Sequence, residues 1–334
     1  MFTYKSKIFR KTLQISGVFS LLMSSCNSNL PVESKNYFFD TYVNLRIYNA
    51  EKSVLDDIYK LLSEYNGLTD NYKKYSYKNS AIQVSVFEIN QSNEKIEISK
   101  NAYDMYLKVK ELQTTSLNYF NPLIGNLSKL RKESLAKKEV LDETTIDLEL
   151  LKINNSSFEL STENSKYYIK RNGEACLDLG AFAKGYSLDI LYDYFKENDL
   201  KNYLIDAGNS SILLGEKPDN GGYFTVGLKD INNAYLELKN CFISASGVST
   251  QGVKINNKMY SHIINPFDGS AINNYDYVFV KGDNGALCDV LSTSFMMMDI
   301  DTVKEFEKSY KVEAILYKDS KIIYSNSNLE IKYH

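Results

Sequence analysis

The stretch Cys176–Asp189 (C-L-D-L-G-A-F-A-K-G-Y-S-L-D) sets one carboxylate, Asp178, and one ammonium, Lys184, among the glycines Gly180 and Gly185. Glycine permits a tight turn and the close approach of another molecule. The letters predict a strand end at Leu177–Leu179, then a helix from about Ala181 with Ala183, Ile190, Leu191 and Tyr194 as its apolar positions. A strand, a glycine turn and a helix N-terminus make an anion site, because the first helical N–H groups have no partner within the helix. An ordinary turn carrying a surface salt bridge fits the same letters.

Two other places hold chemistry. Asp289 and Thr293 stand four residues apart in A-L-C-D-V-L-S-T-S-F-M-M-M (286–298) and share one face of a predicted helix. Carboxylate and hydroxyl are hard oxygen ligands suited to Mg2+, which binds few protein groups. A helix-capping or salt-bridge role for Asp289 is the competing reading. His262, the only histidine besides the terminal His334, lies in M-Y-S-H-I-I-N-P-F-D-G (259–269), where a structural and a catalytic role are both open.

The elements that must position these groups follow from periodicity. Residues 37–48 alternate as a half-buried strand, and Val54, Ile58, Leu61, Leu62 and Tyr65 lie on one helical face. Asp70–Tyr77 reads as a polar and aromatic loop. A helix capped by Ser99 runs through Ala102, Tyr106, Val109 and Leu112. Ser116–Gly125 (S-L-N-Y-F-N-P-L-I-G) carries turn formers, and 128–165 reads as a peripheral polar excursion with short helical patches. Strands are predicted at 96–98, 167–170, 203–205, 223–228, 234–238, 241–247, 275–280, 312–316 and 321–324. Strands and helices mix irregularly, which predicts the α+β class, mixed sheets with packed helices, over a regular βαβ array.

With 334 residues, 43% of them hydrophobic and 24% charged, the chain can bury a full core. A net charge of −3 offers no basic field for nucleic acid, so none is expected as a partner. Residues 1–26 have the form of a signal peptide: a basic region at Lys5, Lys7, Arg10 and Lys11, a short apolar run from Leu13 to Met23, then Ser-Ser-Cys. The end resembles a bacterial lipobox, which implies lipidation of Cys26 and export to the outer (or periplasmic) face of the cytoplasmic membrane. An uncleaved anchor is the alternative. Residues 27–36 read as a tether, and 37–334 as one domain. The remaining Cys176, Cys241 and Cys288 read as buried small residues rather than a disulfide framework.

Over about residues 37–325 the chain resembles the ApbE family, the FAD:protein FMN transferases. D-L-G-A-F-A-K-G-Y (178–186) is similar to the family's D-[LV]-G-x-[IF]-A-K-G-Y. H-I-I-N-P-F-D-G (262–269) resembles H-I-I-[DN]-P-x-T-G, and D-V-L-S-T (289–293) resembles D-A-L-[AS]-T. Ser116–Gly125 and D-N-Y-K-K-Y (70–75) resemble S-x-G-x-F-[DN] and F-D-x-Y-x-x-Y. The resemblance implies a T-fold-related flavin transferase architecture. It implies cleavage of the substrate FAD, transfer of FMN to a Thr or Ser hydroxyl of an extracytoplasmic flavoprotein, and release of AMP. It implies Mg2+ held by Asp289, Thr293 and the Ala181 carbonyl. FAD contacts are implied for Phe39, Tyr72, Tyr119, Phe120, Asn121, Asp178, Lys184, His262, Ile263 and Ile264. His262 and Lys184 would be the catalytic groups, His262 easing proton removal from the acceptor and Lys184 neutralising phosphate charge.

Three departures stand out. The family's [DN]-A-G-G-N turn is Asp206-Ala207-Gly208-Asn209-Ser210, without the second glycine. The S-G-x-Y-x-R stretch is Ser246-Gly247-Val248-Ser249-Thr250-Gln251, without the aromatic and the Arg. Asp268 replaces the Thr of the His motif. An FAD pyrophosphatase giving AMP and FMN, and a non-catalytic flavin-binding lipoprotein, are the alternative functions.

Overall fold

The computed structural model describes residues 30–75, 83–229, 231, 233–248 and 252–334. The signal segment with Cys26, and Ser249–Gln251, lie outside the described residues. Among the described residues no helix is long and apolar enough to cross a membrane.

The chain opens with strands β1 (Val32–Phe38) and β2 (Thr41–Ile47), then helices α1 (Val54–Leu68) and α2 (Val86–Asn90). Strand β3 (Ile96–Ile98), helices α3 (Lys100–Thr115), α4 (Gly125–Lys137) and α5 (Glu143–Asn154), and strands β4 (Ser157–Glu163) and β5 (Lys166–Asn172) follow. Helix α6 (Ala183–Glu197) leads to β6 (Tyr203–Ala207), β7 (Ser211–Leu214), β8 (Phe224–Gly227), β9 (Ala234–Leu238) and β10 (Cys241–Gly247). A small hairpin, β11 (Val253–Ile255) and β12 (Lys258–Tyr260), precedes β13 (Tyr277–Gly282). Helices α7 (Gly285–Phe295) and α8 (Ile300–Tyr310), then β14 (Glu313–Lys318), β15 (Lys321–Ser325) and β16 (Lys332–Tyr333), complete the chain.

Eight strands form one sheet in the order β1-β2-β6-β7-β10-β13-β14-β15, and β3-β5-β4 and β16-β9-β8 form two three-stranded sheets. The molecule is α+β, as expected. Side chains alternate through the large sheet with a period of two. Ile205, Val278, Val280, Ala314 and Leu316 join one buried cluster with α1, α6, α7 and α8. Phe279, Ile315 and Tyr317 face the opposite way and pack with Phe224 and Leu236 of the β8-β9 layer. Both faces are buried, which is why these strands read as near-continuous apolar runs. A second core joins α2, α3 and the β3-β5-β4 sheet with Leu177, Leu179 and Phe182. Helix α7 lies between the two helical cores, giving Leu291 and Phe295 to one and Ala286 and Val290 to the other. An element buried on all sides needs no amphipathic stripe. Asp289 is therefore carried indoors by its helix.

Several expectations are corrected. The tether reading for 27–36 fails from Val32 onward, because Val32–Asn36 pairs with Val43–Ile47. The single strand at 37–48 is a hairpin turning at Phe39 and Asp40, with φ of 51° and 56°. Positive φ at both central residues defines the turn that suits strand twist, and without Asn or Gly there the letters hid it. Ala175–Leu179 forms no strand. Its backbone is held instead by Asn90, which accepts from Leu177 N–H at 2.7 Å and donates to the Leu177 carbonyl at 2.9 Å. Asn126 Oδ1 accepts from Cys176 N–H at 3.2 Å. Cys176 itself is half-buried, whereas Cys241 and Cys288 are buried.

Candidate active site

Two glycines set the centre of the site. A Cβ built on Gly185 of α6 would stand 2.2 Å from the Gly285 carbonyl oxygen and 2.7 Å from the Asp289 Cβ. One on Gly285 of α7 would stand 2.4 Å from the Gly185 oxygen. The helices cross backbone to backbone, which only glycine permits.

That crossing lets each helix cap the other. Asp289 Oδ2 accepts from the Gly185 N–H at 2.9 Å, one of the first-turn donors of α6. Asp189, on α6, accepts from Gly285 N–H at 2.5 Å and Ala286 N–H at 2.8 Å in the first turn of α7. Burial of Asp189 pushes its carboxyl up to about 6, against the pull of those two donors. Asp289 is 4% exposed, and its Oδ1 accepts from Ser211 Oγ at 3.2 Å. Thr293 lies one turn on, its Oγ1 3.1 Å from Ser246 Oγ, which is itself 3.0 Å from Ser292 Oγ. The capping role of Asp289 is thus real but is performed on the neighbouring helix. It uses two of the roughly four acceptor positions of an ionised carboxylate.

Asp178 and Ala181 stand in the turn leading to α6. Asp178 Oδ1 accepts from Gly180 N–H at 2.8 Å, and Asp178 N–H donates to the Pro122 carbonyl at 2.7 Å. Gly125 N–H donates to the Cys176 carbonyl at 2.9 Å, and a Cβ there would meet that oxygen at 2.7 Å. These bonds bring the motif at 116–125 together with the motif at 178–186. Phe120 is buried and stacks on Phe182, with ring centroids 6.3 Å apart, so its ring belongs to the core. Tyr119 is half-buried and meets the exposed Phe267 edge-on at 5.0 Å. Asn121 Oδ1 is engaged by Leu123 N–H at 3.0 Å. Phe39 donates its N–H to Asn66 Oδ1 at 2.6 Å and packs against both helical cores from the hairpin turn.

The His262 loop is braced from within. Ser261 Oγ accepts from Ile263 N–H at 3.0 Å, and Ile272 N–H donates to the Ile263 carbonyl at 3.2 Å. Ile263 and Ile264 bury their side chains in different cores. Asp268 takes the Ser270 N–H at 2.8 Å, a turn-closing role open to a carboxylate as to a Thr hydroxyl. Burial, with the nearby charges of Lys132 and Lys184, lowers the His262 imidazole to about 4. Its Nδ1 is buried without a hydrogen-bond partner.

The lowered imidazole predicts a stability effect. The unfolded chain binds a proton at His262 below its ordinary 6.5, while the folded chain refuses it until about 4, so stability is lost as pH falls through that interval. The loss is about 3 kcal/mol at its fullest. Asp189 acts in the opposite sense, its raised carboxyl favouring the folded state as pH falls below about 6. Comparison with His262→Gln removes that common term. The variant should lose less stability than wild type on acidification, as read by denaturant unfolding; identical slopes would contradict the assignment.

Lys132 is the residue that sequence reading missed. It lies on α4, inside the stretch read as peripheral, and donates to Tyr72 Oη at 3.0 Å. Burial opposes its charge, but the Tyr72 bond and the carboxylates of Asp178 and Asp40 hold its ammonium above its ordinary value. A helix reading at 125–137 with its Lys positions marked was the one signal available.

In the DAGGN-like turn, Gly208 has φ of 71° beside Thr41, and Asn209 has φ of 57°. Asn tolerates the left-handed region, so the missing second glycine leaves the backbone path intact. Among the described residues no three His, Cys, Asp or Glu side chains gather as a metal cluster.

A family model described as the ApbE family matches residues 39–316. Similar proteins include the FAD:protein FMN transferase of Klebsiella pneumoniae (strain 342), 24% identical over 266 residues, 77% of this chain and 79% of that protein. The protein of the same name from Chlamydia muridarum is 22% identical over 257 residues, 74% of this chain and 76% of its own length. The crystal structure of the ApbE protein of Thermotoga maritima shares the fold at a TM-score of 0.70 and 17% identity, covering 91% of this chain and 96% of that one.

Proposed function

The chain belongs to the ApbE family, and from that premise we propose that it is an FAD:protein FMN transferase. In the proposed reaction, a Thr or Ser hydroxyl oxygen of an extracytoplasmic flavoprotein bonds to the phosphorus of the FMN half. The bond from that phosphorus to the bridging oxygen breaks, and AMP leaves with the electron pair. The observation that carries the reading is the convergence of the pyrophosphate-type elements: the α6 N-terminus with Lys184, buried Asp289, and a neutral His262.

The chain's own residues have distinct tasks. The α6 N-terminus and Lys184 face negative charge. Neutral His262 accepts the acceptor's proton at Nε2, which a protonated imidazole could not do. Phe39, Tyr72 and Tyr119 offer ring faces and edges to a flat ring system. Asp289, Thr293 and the Ala181 carbonyl would hold Mg2+. The donor set fits: a buried carboxylate without an ion pair among the described residues, two acceptor positions unused, and a hydroxyl one turn away. Such an ion supplies neutralisation of charge on the phosphate oxygens. We also propose that Cys26 is lipidated and holds the enzyme on the outer face of the membrane.

Chromatography of the nucleotide products tests the reading. FAD, Mg2+ and an acceptor should yield AMP, and EDTA should stop it. AMP with an equal amount of free FMN would favour the pyrophosphatase, and intact bound FAD a flavin-binding lipoprotein.

A further inference from the structure

We propose that Lys132 is a second substrate-binding cation of this site, placed by α4 to pair with the diphosphate of the flavin dinucleotide. The inference rests on the transferase reading above. Helix α4 is fastened to the site at two points. Its first residue, Gly125, lies against the carbonyls of Cys176 and Leu177, directly before Asp178. One residue before Lys132, the buried Arg131 donates Nη2 to the Gly269 carbonyl at 2.9 Å, gripping the end of the His262 loop. Lys132 therefore projects from a helix clamped to both catalytic segments.

Its ammonium is aimed by Tyr72, whose hydroxyl it meets at 3.0 Å and whose ring centroid lies 5.4 Å away. It makes no ion pair with a carboxylate among the described residues, although Asp178 and Asp40 are close enough to influence it. Lys184 approaches the same imidazole from α6 and likewise has no ion pair among the described residues. Both ammonium charges act on the same imidazole, whose Nδ1 is buried without a hydrogen-bond partner, so both cations stand on the His262 side of the site. A diphosphate carries the charge that both would meet, and charge-assisted bonds to phosphate are the strong ones.

FAD affinity of the full-length chain in non-ionic detergent, followed by flavin fluorescence, tests this. Lys132→Met and Lys132→Gln should each weaken FAD binding about tenfold, the value of one charge-assisted hydrogen bond. Lys132→Arg, which keeps the charge, should restore most of the affinity. Wild-type affinity in Lys132→Gln would show a neutral prop for Tyr72 and overturn the proposal. So would unchanged binding in Lys132→Met, or a loss in Lys132→Arg as full as in Lys132→Met. A wild-type chain that binds no FAD would overturn the transferase reading and this inference together. FAD turnover with unaffected Lys132 variants would overturn the inference alone.

Discussion

Asp289→Asn lowers FAD turnover about a thousandfold while leaving the fold in place. Asn keeps the volume of the buried side chain. Its oxygen still accepts the Gly185 N–H, and the Ser211 hydroxyl can rotate to accept from its amide. What disappears is the negative charge that would hold Mg2+ next to the phosphate oxygens. Neutralisation of that kind supplies several kcal/mol, and each 1.36 kcal/mol is a factor of ten in rate. Asp289→Ala is the less informative change, because it strands two buried donors at about 1–3 kcal/mol each. Turnover measured beside thermal melting separates the cases. Wild-type turnover in a well-folded Asp289→Asn would remove the metal assignment.

Gly185→Ala destabilises the protein by roughly 3 kcal/mol, at the upper end of overpacking costs. The new methyl would meet the Gly285 carbonyl oxygen at 2.2 Å and the Asp289 Cβ at 2.7 Å, and neither atom belongs to a flexible side chain end. The helices must part, and the Gly185 N–H leaves the Asp289 carboxylate, so turnover falls with stability. Gly180→Ala is the contrast in stability. Its Cβ would meet one atom, Asp178 Oδ1, at 3.1 Å, and a carboxylate can yield by a few tenths of an ångström. Equal melting of Gly185→Ala and wild type would contradict the backbone-to-backbone crossing.

These two positions also mark how far the letters could be read. The glycine motif, the Asp289/Thr293 helix and the His262 loop were visible because each is a local pattern, as were the helices at 54–68, 100–115 and 183–197. The mutual capping of α6 and α7 was not, since its bonds join residues 96 to 104 apart in sequence. Strand β7 hid behind the turn at Asp206–Ser210 and became legible only through its pairing with β6 and β10. Leu177–Leu179 has strand letters, yet Asn90 and Asn126 satisfy its backbone in place of a neighbouring strand. Lys132 has no motif at all. Its meaning comes from Tyr72, sixty residues away in sequence.

The central claim, transfer of FMN to a protein, is tested most directly by the intact mass of an acceptor flavoprotein with a Thr or Ser flavinylation site. The acceptor is incubated with the full-length chain, FAD and Mg2+. The account predicts a gain equal to one FMN less water, absent with EDTA and greatly reduced with Asp289→Asn. An acceptor of unchanged mass, in a mixture where FAD has been split into AMP and free FMN, would contradict it.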